Sequence, residues 1–202
     1  MVIVLCALAP VSCSREPADE NGHLGTVVVV APGFSAEEFA SLSDSLARSG
    51  VSAAFLDDAS LLSQEIDSSL SGEQMALVAF GHRSTPVWDS LPEVSDRLRS
   101  AVFVSVPSGQ NVEVQLLHGL PILDLHSRQD SVTVSAHQRV HDALSIAGLP
   151  HEMVVYDGVQ GDFFAASGRA FDSAAWADAA ARIVEWVVVS LRSDELREVR
   201  RS

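Results

Sequence analysis

The body of this 202-residue chain contains no cysteine, because Cys6 and Cys13 both fall within the first thirteen residues. That excludes an internal disulfide, a thiolate metal site and a cysteine nucleophile from everything beyond residue 13. Positive charge is also scarce. Thirteen Lys and Arg face 27 Asp and Glu, for a formal net charge of −14. Such a surface repels phosphate backbones and anionic headgroups, so nucleic acid is not an expected partner. There is no Gly-x-Gly-x-x-Gly and no phosphate loop, so nothing supports nucleotide binding. No apolar run is long enough to span a bilayer. No internal repeat is present, and Ser60–Ser71 is the one serine-rich stretch. What is present is apolar: 47% of the residues are hydrophobic and the mean hydropathy is +0.20. That composition rules out general disorder, and the length suits one domain with a sizeable core.

Residues 1–25 stand apart. The run Val2–Ala9 has the length of a signal h-region, and Val11-Ser12-Cys13-Ser14 followed by a polar stretch resembles a bacterial lipoprotein signal. Under that reading Cys13 carries a lipid anchor, and the protein is exported or held at a membrane as a tethered scaffold. No Lys or Arg precedes the run, and Pro10 stands where a Leu is usual. The other readings are an edge strand with a loop, or a misplaced start, and then a cytoplasmic protein. Residues 193–202 form a charged tail.

Between them, residues 26–192 alternate strands with helices. Thr26–Pro32 is mostly β-branched, the pattern of a strand buried on both faces. Ser35-Ala36-Glu37-Glu38 is a capping box, and Phe39, Leu42, Leu46 and Ala47 recur at helical spacing up to Gly50. Val51–Leu56 is a second strand and Asp57–Leu70 a helix. Ala76–Phe80 is a third strand. A capping box at Ser90-Leu91-Pro92-Glu93 predicts a short helix through Leu98, since neither Pro86 nor Pro92 suits a helix interior. Ala101–Val106, Pro121–His126 and His151–Tyr156 complete six strands, with a loop or short insertion at Ser108–Leu120. Helices are expected over Ser135–Ala147, with Val140, Leu144 and Ile146 apolar, and over Ser173–Leu191, with Trp176, Ala180, Ile183, Val187 and Leu191 on one stripe. The alternation predicts a largely parallel α/β sheet with helices on both faces. Ligands then bind beyond the carboxyl ends of the strands.

The stretch Met75–Ser84 organises this reading. A buried strand ends in a sharp turn at Gly81 and continues into His82, Arg83 and Ser84, which is where an α/β-hydrolase carries its nucleophile. Four stretches together resemble the dienelactone hydrolase family. They are Val27–Gly50 with its Pro-Gly turn, Leu77–Ser84 against the family's Gly-Phe-Cys/Ser-x-Gly-Gly, Pro121–Gly148, and Tyr156–Leu191. In the last, Tyr156-Asp157-Gly158-Val159-Gln160-Gly161-Asp162-Phe163 stands against Tyr-x-Gly-Ala-x-His-x-Phe. The segment between Asp58 and Ala76 is shorter than in the family.

The resemblance implies a shortened α/β-hydrolase-like fold and an ester- or lactone-hydrolase ancestry, with a degenerate triad. The nucleophile position falls on Gly81 and the histidine position on Gly161. The acid position is retained as Asp130, whose other reading is a turn-forming aspartate. Glycine can be neither nucleophile nor base. The expected function is therefore that of a non-catalytic pseudo-hydrolase binding a small ligand or a protein partner through Phe34, His82, Arg83, Gln160 and Asp162. The backbone N–H groups of Phe34 and His82 occupy the family's oxyanion-hole positions. The alternative is an active hydrolase rebuilt on Ser84 or His82 with Asp130. The space left by the lost side chains is expected to be a pocket holding water, Arg83 or Gln160. Neither a cofactor nor a metal is expected: His137 and His141 have the i, i+4 spacing of a zinc pair, but no third ligand is evident from spacing, and they read as exposed helix residues.

Overall fold

The computed structural model describes residues 22–68, 73–108 and 113–193. The lipoprotein-like segment with Cys13 and the tail beyond residue 193 lie outside the described residues. Six strands form one parallel sheet: β1 (Gly25–Val30), β2 (Val51–Leu56), β3 (Met75–Phe80), β4 (Leu98–Val104), β5 (Ile122–Ser127) and β6 (His151–Tyr156), in the order β2-β1-β3-β4-β5-β6. β1 pairs in parallel with both β2 and β3, as Val28 opposite Leu77 illustrates. All six residues of β3 are buried, which is why Met75–Phe80 reads as an uninterrupted apolar run. The edge strands β2 and β6 are only half-buried.

Alternation along the strands sorts the core into two layers. Val27, Val29, Val78 and Phe80 pack with Leu42 and Leu46 of α1 (Ala40–Arg48) and with Trp176, Ile183 and Val187 of α5 (Ser173–Arg192). Val28, Val30, Leu77, Ala79 and Phe103 pack against the other three helices. These are α2 (Leu62–Ser68), α3 (Pro86–Val94) and α4 (Ser131–Ala147). The capping box at Ser35 forms at the head of a 3-10 turn, Ala36–Phe39, leading into α1. Asp172 caps α5 by accepting from the Ala174 and Ala175 N–H groups. Among the described residues no helix is long and apolar enough to cross a membrane.

The structure departs from the sequence reading at α3. The helix begins at Pro86 and ends at Val94, with Pro92 inside it, and β4 already starts at Leu98. Pro86 occupies the first turn, where its missing N–H has no partner to lose. Val87, Trp88, Leu91 and Val94 are buried along one stripe, and their burial outweighs the single bond that Pro92 cannot donate. Ser90 caps nothing, and its hydroxyl donates back to the Pro86 carbonyl at 3.3 Å.

Candidate functional site

β3 ends at Gly81, which sits at φ 73° and ψ 165°. That region is held at no steric cost only by glycine. A 3-10 turn, His82–Ser84, follows and leads into the short α3. The predicted elbow is therefore present, at the carboxyl end of the buried strand that lies third in the sheet.

The side-chain side of Gly81 is walled by rings. A Cβ built there would lie 3.1 Å from Cε2 of Phe34 and 3.5 Å from Cζ of Phe164. Phe34 and Phe164 meet edge to face with centroids 5.2 Å apart. Phe80, the residue before the glycine, contacts Phe39 at 4.5 Å, Phe164 at 5.2 Å and Trp176 at 6.0 Å. The pocket expected at Gly81 is thus filled by aromatic packing, rather than by Arg83 or Gln160. Clefts open elsewhere among the described residues. One, of about 320 Å³, lies between β5, β6 and α5 around Pro121, Glu152 and Trp186. A second, of about 660 Å³, runs between α1 and α5 beside Ser45, Trp176 and Ala180. A third, of about 620 Å³, lies beside α1 and β2 around His23, Ser43 and Phe55.

The loop carrying Gly161 does come to this edge. Ser105, at the end of β4, donates from its hydroxyl to the Gly161 carbonyl, and Ser127 at the end of β5 donates to the Val159 carbonyl. Ser105 adopts a positive φ of 52°, an uncommon conformation for a residue with a side chain. Phe164, three residues beyond Gly161, supplies the ring over Gly81. A Cβ at Gly161 would meet nothing within 4 Å, so the histidine position is open. Asp130 heads α4: its N–H donates to the Ser127 carbonyl at 3.2 Å and its carbonyl accepts from Val134 at 3.0 Å. Asp130 and Asp162 are half-buried, while His82, Arg83 and Gln160 are exposed.

Ser84, the alternative nucleophile, is fully buried. Its hydroxyl contacts two carbonyls, Phe80 at 2.7 Å and Val30 at 3.2 Å, as a serine one turn into a helix start commonly does. The Phe34 N–H closes a turn onto the Ala31 carbonyl at 3.1 Å, which takes it out of an oxyanion hole. The Arg83 guanidinium lies over Gly33, so close that a Cβ there would be 2.6 Å from Nη1; among the described residues Arg83 makes no ion pair.

The largest correction lies on the opposite layer. His137 and His141 are buried, at 0% and 4% exposure, and so are Asp124 at 0% and His126 at 1%. Asp124 and His126 share the face of β5 that carries Ile122 into the α2–α3–α4 layer. His141 Nε2 lies 2.6 Å from Asp124 Oδ2, His137 Nδ1 lies 3.0 Å from the same oxygen, and His126 Nε2 lies 3.6 Å from Oδ1. His137 Nε2 meets the Val106 carbonyl at 2.6 Å, and its ring stands edge-on to Trp88, which stacks on Phe103. Burial alone would push the Asp124 carboxyl up. The three imidazoles packed around it, His137 foremost, outweigh burial and hold it well below the usual carboxylate range. Burial pushes His126 down from its ordinary value. Spacing could have found this cluster. Ile122, Asp124 and His126 alternate along one strand face, and His137, Val140, His141 and Leu144 form an i, i+3, i+4, i+7 stripe. Ile146, read as part of that stripe, is off it and 89% exposed.

No protein-family model matches the sequence, and no curated protein sequence matches it either. Solved structures do. A Klebsiella pneumoniae protein named as a dienelactone hydrolase superposes with a TM-score of 0.59 at 19% identity, covering 85% of this chain and 89% of that one. The chain has an α/β-hydrolase fold. A lipase in its open form matches at a TM-score of 0.64 and 9% identity over 85% and 92% of the two chains. The dienelactone hydrolase of Anabaena variabilis matches at 0.57 and 12% identity over 82% and 86%. At such identities the likeness fixes the hydrolase-like architecture, and the chemistry has to be argued from this chain's own residues.

Proposed function

We propose that this hydrolase-fold protein works by binding and does not cleave esters or lactones through a nucleophile–histidine–acid triad. One observation carries the reading: Gly81 holds the elbow conformation with Phe34 and Phe164 closed over the place a nucleophile would occupy. A triad also needs a base and an oxyanion hole. The histidine position is Gly161, and the Phe34 N–H is committed to Ala31. Asp130 then survives as a helix-heading aspartate with no histidine to orient. The exposed His82, Arg83 and Gln160 remain as the binding edge. They place cationic and amide groups in a chain of net charge −14, which suits a carboxylate, on a small molecule or on a partner protein.

The test is incubation of the purified chain with p-nitrophenyl acetate and with a fluorophosphonate probe. The expected result is no burst and no labelled residue. Stoichiometric labelling at a serine overturns the proposal. Ser84→Ala separates it from the rebuilt-hydrolase alternative: any background rate stays unchanged if Ser84 only bonds the Phe80 and Val30 carbonyls, and disappears if Ser84 is the nucleophile.

A further inference from the structure

The buried cluster on β5 and α4 has a charge arrangement that its own hydrogen bonds do not complete. Four of its polar atoms, Asp124 Oδ1, His126 Nδ1, His126 Nε2 and His137 Nδ1, are buried without a hydrogen-bond partner. Buried polar atoms are rarely left so. The tautomer of His137 sharpens the point. Its Nε2 lies 2.6 Å from the Val106 carbonyl, which can only accept, so Nε2 carries the proton. In neutral imidazole that leaves a lone pair on Nδ1. It lies 3.0 Å from a carboxylate oxygen without hydrogen-bonding geometry. With Nδ1 unprotonated, two lone pairs face each other, and a cation between them completes the contact.

We propose that Asp124, His137 and His141 bind a divalent transition-metal ion of the zinc type. One ligand atom from each of the three lies within 4.8 Å of the others. A tetrahedral zinc with bonds of about 2.0–2.1 Å sets its ligand atoms about 3.3 Å apart. The observed separations of 2.6 and 3.0 Å would open to that by about 0.7 and about 0.3 Å at the side-chain tips. The donor set, imidazole with one carboxylate and no thiolate, suits zinc and its neighbours rather than magnesium or calcium. His137 already has the outer bond such ligands carry, its remote N–H donating to a backbone carbonyl. The site is closed over by Trp88 and Phe103, and His141 is its most exposed member. That enclosure fits a structural ion that staples α4 to β5 in a chain whose body has no disulfide.

The full-length chain is expressed with a cleavable tag, the tag is removed, and the metal is stripped under mild denaturation and then restored as Zn(II) or Co(II). The expected result is one zinc per chain surviving exhaustive dialysis. The Co(II) form should show visible absorption bands of tetrahedral intensity, and a chelator should lower the thermal midpoint. Asp124→Asn and His141→Ala should each weaken zinc binding by about 100-fold or more. The wild-type cobalt spectrum and zinc-dependent midpoint need no variant, so they decide the matter even if both substitutions prevent folding. A folded wild-type chain that retains no zinc and gives no cobalt bands overturns the proposal and leaves a proton-sharing Asp–His network. Zinc retained undiminished by folded Asp124→Asn places the ion elsewhere and overturns it too.

Discussion

Two regions of this molecule exchange the contents that the fold leads one to expect. At the carboxyl end of β3, where an α/β sheet positions chemistry, there is a glycine under two phenylalanine rings. Between β5 and α4, where such a fold packs aliphatic side chains, there are an aspartate and three histidines, all buried. The backbone is the same kind of strand–loop–helix unit in both. The carboxyl end of a central strand can therefore be closed over by apolar packing within this fold. A charged cluster inside a layer is different, because every member depends on the others for compensation.

That dependence gives the largest expected effect. Asp124→Ala removes the single anion that three imidazoles surround. Taking away one partner of a buried charged set typically costs about 3–5 kcal/mol, and the expected result is a fall of that size in the unfolding free energy measured with urea. The effect should be well above that of an exposed carboxylate substitution. A loss below about 1 kcal/mol would mean that the cluster is not an electrostatic unit, and the contrast between the two regions would collapse.

The two regions were also unequally legible in the sequence. The parallel sheet followed from β-branched and apolar runs such as Thr26–Val30 and Met75–Phe80, each broken by a turn residue. The elbow followed from one glycine after one such run. The rings that close it did not, because Phe34 and Phe164 are 130 positions apart and only the loop tied down by Ser105 and Ser127 brings them together. The Asp–His cluster was half legible. The helical pair of histidines was visible, but Asp124 and His126 sat within what read as a buried apolar strand. Their shared face shows only when the strand's alternation is set against the helix's stripe. Pro92 misled for a related reason: a local rule about proline gave way to the burial of Trp88 and Leu91.

An intermediate effect is expected at the elbow. Gly81→Ser puts a side chain where φ is 73° and where a Cβ already lies 3.1 Å from Phe34. Backbone strain at such a position costs about 1–3 kcal/mol, and the Phe34 ring must shift as well. The thermal midpoint should fall, and p-nitrophenyl acetate should remain uncleaved, since the serine would have no histidine at Gly161. A variant as stable as wild type would show that the aromatic lid is loose. The comparison would then turn on a missing nucleophile alone.

The smallest effect comes from a carboxylate that makes similar contacts in water. Asp178 on α5 accepts from Arg182 Nε at 2.8 Å and from the Tyr156 hydroxyl at 2.8 Å, and its side chain is half exposed. The Arg182 hydrogen bond first, and the Tyr156 hydroxyl next, hold its pKa below the ordinary carboxylate value. A carboxyl whose folded pKa is depressed contributes its stability above the unfolded value, about 3.9. It loses that contribution as pH falls through the folded value. Exposed i, i+4 pairs contribute only about 0.3–0.5 kcal/mol. Asp178→Asn should therefore cost about that much at pH 7, less in 1 M salt where screening is strong, and nothing once the pH is below the folded value. The substitution measures what a carboxylate–cation contact contributes to this protein when water shares it. The excess of Asp124→Asn over Asp178→Asn, read under the same conditions in metal-stripped protein, is then the part of the cluster's energetics that comes from burial.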